Sequence, residues 1–153
     1  MFTYNLLKNN ILTHTFALCC AVVMLTLNAG AQTPDWEWAK RAGGTYDDYG
    51  RSIAVDAAGN SYVTGTFSSS PITFDTTTLT NIGIFVVKYN ASGNVVWAKS
   101  PSAEDEGRGN GIAVDATGNS YVTGYFYGST ITFGTTTLTN SGSRDIFVVK
   151  YDA

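Results

Sequence analysis

IAVDAAGNSYVTG, at residues 53–65, occurs again 59 residues later as IAVDATGNSYVTG, at residues 112–124. In both copies a short apolar run is followed by Asp-x-x-Gly-Asn and then by Tyr-Val-Thr. Runs of β-branched and aromatic residues predict strands. The segment between them predicts a tight turn, because the Asp side chain accepts hydrogen bonds from the turn's own backbone and Gly adopts the positive φ. The phrase therefore predicts the same β-hairpin twice.

The similarity continues on both sides of this phrase, so the whole region is an internal repeat. A period of this length indicates stacked supersecondary units such as propeller blades or solenoid turns. No segment shows apolar residues at helical spacing over three turns. The further matches are WAK at 38–40 and 97–99, ITF at 72–74 and 131–133, TTTLTN at 76–81 and 135–140, and IFVVKY at 84–89 and 146–151.

Each repeat predicts four antiparallel strands, which is the composition of a propeller blade. In the first repeat the strands are predicted at 53–56, 61–67, 84–89 and 95–99, and a Thr-rich insert at 71–82 adds a small hairpin. The predicted fold class is all-β, with two repeats of four-stranded propeller blades. Since about three or more repeats are normally needed for stability, the chain is expected to be either a partial propeller or one subunit of an oligomeric ring. Three such chains would close a six-bladed ring.

The expected organisation has three parts. Residues 1–31 are predicted to be a signal peptide, because Lys8 precedes the apolar run FALCCAVVMLTLNAG and the Ala-x-Ala site at 29–31. This run of 15 residues is shorter than the roughly 18–20 that a membrane anchor needs. Residues 36–99 are predicted to hold an N-terminal closing strand, WEWAK, and the first repeat. Residues 100–153 are predicted to hold a second repeat that lacks its last strand.

Export predicts a secreted or cell-surface protein. Cleavage of the signal peptide would also remove the cysteine and histidine side chains from the mature chain. Both cysteines and His14 lie within the predicted signal peptide, so disulfides, Cys/His zinc sites and Ser-His-Asp triads are not expected. Charged residues make up 14% of the chain, the formal net charge is -3, and there is no basic block. The sequence therefore predicts no nucleic-acid partner.

Candidate ligand-binding residues lie where the two copies differ most, at 41–49 against 100–108 and at 66–71 against 125–130. The acidic members are candidates for Ca²⁺ ligation, but no D-x-D-x-D-G loop is present, so no cofactor is predicted and Ca²⁺ is the alternative. Adjacent carboxylates cannot span the roughly 5–9.5 Å of a glycosidase pair without a partner loop, so no catalytic residue is predicted. The candidates are Tyr46, Asp47, Asp48, Glu104, Asp105, Glu106, Tyr125 and Tyr127.

Other polar and aromatic residues are predicted to be structural. Asp56 and Asp115 lead hairpin turns, which favours turn formation over catalysis. Trp38 and Trp97 occupy equivalent positions of the repeat, which favours packing between blades over sugar stacking. Tyr125 and Tyr127 lie in a variable stretch and are better candidates for stacking on a sugar ring.

The phrases GIAVDATGNSYVTGYF at 111–126, DIFVVKYDA at 145–153 and GNVVWAK at 93–99 resemble the bacterial SBBP repeat, which is named for a seven-bladed β-propeller. The core D-x-x-G-N-x-Y-V is also similar to NHL-type repeats. The resemblance covers 36–153 and implies a secreted or cell-surface bacterial protein, usually with more repeats, and it supplies no catalytic residues.

The function expected from these observations is a non-enzymatic binding or structural module for a protein or polysaccharide. The first alternative is a small lectin formed by ring closure of identical chains. The second is a fragment of a propeller hydrolase or lyase that uses loop carboxylates.

Overall fold

The computed structural model describes residues 33–103 and 106–153; the predicted signal peptide therefore lies outside the described residues. From Glu37 onward the chain forms one compact unit, and the described residues include no helix long and apolar enough to cross a membrane. The strands are β1 (Asp48–Val55), β2 (Ser61–Phe67), β3 (Ile72–Phe74), β4 (Thr77–Leu79), β5 (Gly83–Tyr89), β6 (Val95–Lys99), β7 (Ser102–Ala103), β8 (Gly107–Val114), β9 (Ser120–Phe126), β10 (Thr130–Phe133), β11 (Thr136–Thr139) and β12 (Asp145–Tyr151).

Blade 1, which comprises β1 to β6, confirms the predicted four-stranded unit. Its main sheet has the antiparallel order β1-β2-β5-β6, and the insert forms the β3–β4 hairpin. The register places Val63 opposite Ile53 on one side and Val87 on the other, and Val87 lies opposite Ala98. Because directly opposed residues point to the same face of a sheet, these four side chains form one apolar layer across the blade.

Blade 2, which comprises β7 to β12, repeats the first three strands of the main sheet with the same register. The order is β12-β9-β8, and Val122 lies opposite both Ile112 and Val149. The equivalent hairpin β10–β11 gains β7 as a third strand. Within the described residues β12 pairs only with β9, so the place that β6 takes in blade 1 has no strand in blade 2.

The closing strand predicted at 36–40 is not formed as a paired strand in the structure. A strand needs a hydrogen-bonded neighbour, and within the described residues the expected neighbour, β12, pairs only with β9. The segment is held by side chains instead. Trp38 stacks on Tyr89 at 6.1 Å between ring centroids, and its indole N–H donates to the carbonyl oxygen of Ala91 at 3.2 Å. The ammonium group of Lys40 lies 3.3 Å from the carboxylate of Asp75.

Two further differences concern strand β1, which is longer than the sequence predicted, and strand β7, which the sequence did not predict. β1 begins at Asp48, not at residue 53, because its first residues pair with the end of β2 beyond a bulge between Gly50 and Ser52. Glycine and aspartate have low strand propensity, so the extension has no sequence signal. The short strand β7 was not predicted, and its pairing with Ile131 and Thr132 of β10 places it in the structure.

The two blades pack face to face, with β8 of blade 2 against β1, β2 and β5 of blade 1. Ile84 and Val86 of blade 1 join one core cluster with Val122, Phe126 and Phe147 of blade 2. The predicted packing of Trp97 between blades is confirmed by its stacking on Tyr151 of blade 2 at 5.6 Å, and Trp97 also meets Tyr62 of its own blade edge to face at 6.3 Å. Since Trp38 meets Tyr89 as Trp97 meets Tyr151, the same contact recurs one repeat earlier.

Candidate functional site

The repeated Asp-x-x-Gly-Asn turns use their carboxylates to hold the backbone. Asp56 Oδ1 accepts hydrogen bonds from the N–H groups of Ala58 and Asn60, both at 2.9 Å. Asp56 Oδ2 accepts from the side chains of Asn60 at 2.7 Å and Tyr62 at 3.1 Å. The side-chain hydrogen bond from Asn60 is the main reason that the pKa of Asp56 is lowered. The predicted turn role is therefore confirmed.

The second copy of the turn has the same network. Asp115 accepts hydrogen bonds from the backbone and side chains of Thr117 and Asn119, at 2.7–3.0 Å. The bond from the Asn119 side chain, followed by that from Thr117, lowers the pKa of Asp115 well below its usual range. Both turn aspartates are thus stabilised as anions, which is the opposite of what a general acid needs.

The acidic loop of the first repeat was predicted at residues 41–49, and its part at residues 44–49 is here called the Tyr46 loop. Asp48 anchors this loop: its Oδ2 accepts from the N–H of Gly44 at 2.9 Å and lies 3.0 Å from the hydroxyl of Ser69. Its Oδ1 accepts from the N–H of Ser69 at 3.3 Å. Ser69 is fully buried, so Asp48 joins the loop to the segment after β2 and has a structural role.

Tyr46 combines a fixed backbone with an exposed ring. Its N–H donates to Ser69 Oγ at 2.9 Å, and its carbonyl oxygen lies 3.2 Å from the same hydroxyl. The side chain is nevertheless 72% exposed. The loop therefore presents an aromatic ring to solvent from a backbone that is held on both sides.

Asp47 and Tyr49 add polar groups beside Tyr46. The Tyr49 hydroxyl donates to Asp47 Oδ2 at 3.1 Å, and this bond is the largest cause of the raised pKa of Tyr49. The guanidinium of Arg51 lies 5.7 Å from the centre of the Tyr49 ring. Asp47 and Tyr49 both lie in the variable stretch that the sequence singled out, whereas sequence reasoning missed Arg51, which lies two residues beyond it.

The corresponding loop of the second repeat is described in part. Glu104 and Asp105 lie outside the described residues, so their predicted binding role stays a prediction. The main-chain oxygen of Glu106 accepts from the N–H of Tyr127 at 3.2 Å. In the first repeat the oxygen of Asp47 accepts from Ser68 in the same way, at 3.1 Å. The two variable stretches that the sequence singled out are therefore neighbours in each blade.

Tyr125 and Tyr127 form an aromatic cluster on blade 2. Their rings meet edge to face, 5.5 Å apart at 83°, and the guanidinium of Arg144 lies 5.2 Å from the centre of the Tyr125 ring. Tyr125 stands opposite Arg108 on β8 and Ile146 on β12. Sequence reasoning missed Arg144. The one feature of the sequence that could have pointed to it is that it lies among the extra residues of the second repeat.

A cavity of about 280 Å³ lies against blade 1. It is lined mainly by apolar and aromatic side chains, among them Trp38, Phe74 and Tyr89, and also by the polar residues Lys40, Asp48 and Ser61. An apolar cavity of this size is an ordinary place to look for a ligand. Comparison with blade 2 gives a structural explanation. A Cβ at Gly50, which lines the cavity, would have Val63 Cγ1 as its nearest neighbour at 3.8 Å, whereas one at the equivalent Gly109 would collide with Thr64 of blade 1. The cavity is therefore the unfilled counterpart of the junction between the blades.

Among residues 33–103 and 106–153, no group of three or more His, Cys, Asp and Glu side chains is arranged to hold a metal ion. Calcium binding by the acidic loops stays a prediction, since two of the named residues fall in the gap between these ranges.

Comparison with known proteins agrees with the architecture. The SBBP family, described as a beta-propeller repeat, matches residues 37–70 and 103–125. An uncharacterized WD repeat-containing protein of Acanthamoeba polyphaga mimivirus is 35% identical over 119 aligned residues. That alignment covers 66% of this chain and 9% of the viral protein, so the chain spans a small fraction of the length of this relative.

Proposed function

The chain carries two SBBP beta-propeller repeats, and we propose that it is an exported, non-enzymatic module that binds a polysaccharide or protein through the Tyr46 loop. The observation that supports this proposal most strongly is that Tyr46 has a hydrogen-bonded backbone and a solvent-exposed ring. Its backbone is bonded on both sides to the buried Ser69, while its ring is exposed to solvent.

An exposed aromatic side chain on a fixed backbone is a favourable binding anchor. Tyrosine supplies a large contact area with few rotatable bonds, and a fixed backbone reduces the entropy lost on association. Asp47 and the Tyr49 hydroxyl beside it supply polar groups that can orient a ligand. The repeats also differ in this loop and agree in their turns, as expected if the turns maintain the fold and the loops vary with the ligand.

We propose a non-enzymatic module because three of its aspartate carboxylates are engaged in hydrogen bonds that hold the fold. Asp56 and Asp115 hold their turns, and Asp48 holds the Tyr46 loop to Ser69. The pKa of each turn aspartate is lowered by its hydrogen bonds. A general acid in a glycosidase needs a raised pKa. The lowered pKa values of the turn aspartates therefore favour a structural role over a catalytic one.

The proposal is tested by co-sedimentation of the purified protein with insoluble peptidoglycan, cellulose and chitin, together with a soluble glycan array. Tyr46→Ala is expected to weaken binding at least about tenfold, as loss of an aromatic anchor does, with no change in melting temperature. Tyr46→Phe is the matched control and should retain most of the affinity. Binding by Tyr46→Ala equal to that of the original protein would exclude the Tyr46 loop as the ligand surface.

One observation favours a lectin as the second candidate. The edge-to-face pair of Tyr125 and Tyr127, with Arg144 against it, offers ring faces and donors of the kind that sugars contact. If Tyr125→Ala abolishes binding to the same polysaccharides while Tyr46→Ala does not, the ligand surface lies on blade 2. Release of reducing ends that is lost in Asp47→Asn would instead support the hydrolase alternative.

A further inference from the structure

We propose that the ligand of the Tyr46 loop is an uncharged polysaccharide, and that the side chains of Asp47 and Arg51 hold two neighbouring hydroxyl groups of one of its sugar units. This inference rests on the proposed function and narrows it, because it assigns the class of ligand and excludes a charged polymer. It is carried by the polar side chains beside Tyr46, which are Asp47, Tyr49 and Arg51.

The Tyr49 ring lies next to both charges of this site. Its hydroxyl donates to Asp47 Oδ2 at 3.1 Å, and the guanidinium of Arg51 lies 5.7 Å from the ring centre. All three residues are exposed. Tyr49 therefore brings a hydrogen-bond acceptor and a set of donors to one surface, next to the exposed ring of Tyr46.

Asp47 and Arg51 are close to the same ring without forming an ion pair. Among residues 33–103 and 106–153, the one ion pair is that of Lys40 with Asp75. A carboxylate offers about four acceptor positions, and a guanidinium offers about five N–H donors. The Tyr49 hydroxyl occupies one of the acceptor positions. Because both charged residues are exposed, the other positions and donors are accessible to a ligand.

The fold does not require these side chains. Arg51 is the extra residue of the bulge in β1, and β8 has the same bulge. The residues at the equivalent positions of the two repeats are Asp47 and Glu106, Tyr49 and Arg108, and Arg51 and Asn110. The bulge is thus common to both blades and the side chains around it differ, as expected for residues that serve a ligand.

The charges around Tyr49 balance. The hydrogen bond to Asp47 is the largest cause of the raised pKa of Tyr49, and the positive charges of Arg51 and of Arg108 act against it. Arg108 lies on β8, which packs against β1, and Glu106 precedes it by two residues. Two carboxylates and two guanidinium groups carry no net charge together. A charged polymer therefore gains little electrostatic attraction at this site.

Two neighbouring hydroxyl groups of a sugar match this arrangement. A hydroxyl both donates and accepts hydrogen bonds, so one can donate to Asp47 while the next accepts from Arg51. Hydrogen bonds to ionised groups are roughly twice as strong as those between neutral groups. The C–H groups on the flat face of a sugar ring can pack on the exposed ring of Tyr46.

The small extent of the site favours a sugar chain over a protein surface. The side chains lie within residues 46–51, whereas a stable protein interface involves about 20–30 residues on each side. A polysaccharide presents the same hydroxyl pair at every repeating unit, which raises the effective concentration of the ligand after each dissociation.

Biolayer interferometry of the purified full chain on immobilised polymers tests this inference. The uncharged probes are galactomannan, xyloglucan and mixed-linkage β-glucan, the anionic probes are polygalacturonate and alginate, and the cationic probe is glycol chitosan. Tighter binding to an uncharged polymer than to any charged one is expected. Its dissociation constant should change by less than about twofold between low and high salt, because screening acts on charged pairs.

Two substitutions that change the net charge in opposite directions separate hydrogen bonding from charge. Asp47→Asn and Arg51→Gln should each weaken binding about tenfold, with unchanged melting temperatures. A change in net charge alone would weaken binding in one variant and strengthen it in the other. Asp152→Asn, at an exposed residue outside the site, is the matched control and should bind as the original protein does.

Failure of this inference is distinct from failure of the proposed function. If Tyr46→Ala loses binding while Asp47→Asn and Arg51→Gln keep it, the loop binds its ligand and the assigned hydroxyl contacts are wrong. Tighter binding to a charged polymer, a steep dependence on salt, or binding of a protein and of no polysaccharide would overturn the assigned class of ligand. If Tyr46→Ala binds as the original protein does, the Tyr46 loop is excluded and both proposals fall.

Discussion

Blades 1 and 2 share a sequence, yet their equivalent faces have different surroundings. Ile84 of blade 1 is 2% exposed because blade 2 covers it, whereas Ile146, the equivalent residue of blade 2, is 80% exposed. The strands that carry them are both IFVVKY. The apolar pattern of a repeat therefore specifies a face that can be covered, and the neighbouring blade determines whether it is covered.

The largest expected effect comes from removing the same side chain from the two faces. Ile84→Ala should lower the free energy of unfolding by about 3 kcal/mol, since it leaves a cavity in a packed core. Ile146→Ala should change it by less than about 0.5 kcal/mol in dilute protein, because the side chain is exposed. Chemical denaturation of both variants measures the difference. Equal losses would mean that the two faces are covered alike.

Paired glycine substitutions examine the same comparison at the blade junction. Gly109→Val should cost about 2 kcal/mol, because its Cβ would collide with Thr64 and force a shift of the packed blades. A Cβ at Gly50 would meet Val63 Cγ1 at 3.8 Å, an ordinary van der Waals contact, so Gly50→Val should be nearly neutral in dilute protein. Denaturation curves for the two proteins give the comparison. A costly Gly50→Val in a monomer would show that the cavity of blade 1 closes in solution.

The turn aspartates, in contrast, should behave alike in both blades. Their pKa values are lowered in the folded state, so the stability that they contribute is present above the ordinary aspartate pKa of about 4. That contribution is lost as the pH falls through the lower folded value. Melting temperatures between pH 6 and pH 2 should fall less steeply for Asp115→Asn than for the original protein. Parallel curves would assign the acid sensitivity to other groups.

The smallest effect concerns the stacked tyrosines at alkaline pH. Burial raises the pKa of Tyr151 to about 12, so the unfolded chain ionises first and stability is lost as the pH rises from about 10. Trp97→Ala removes the ring stacked on Tyr151 and should move this pKa toward the ordinary value. Ultraviolet titration of the phenolate measures it. An unchanged titration curve would show that other groups keep Tyr151 from solvent.

The elements that the sequence predicted well are those whose cause is local. The turn at Asp56 is specified by residues within six positions of it, and its hydrogen bonds were foreseeable from residue types alone. Strands β2, β5 and β6 are marked by their own β-branched and aromatic residues. Trp97 was placed between blades because the repeat puts Trp38 at the equivalent position.

The features that the sequence did not predict depend on distant partners. The segment Trp38–Lys40 matches a strand, but strand formation requires a neighbour that the described chain does not give it. Asp48 resembles a ligand-binding carboxylate until its bonds to Ser69, 21 residues away, are known. Arg144 meets Tyr125 only because β12 and β9 are paired.

Amide hydrogen exchange of β5 and β12, measured on the same sample at low protein concentration, tests most directly whether these two strands, which share the sequence IFVVKY, have different surroundings in this chain. At low concentration the outward N–H groups of β12 should exchange quickly, while those of β5, paired with β6, should be protected. Exchange of β12 that is as slow as that of β5 would contradict the assignment of β12 as a free edge.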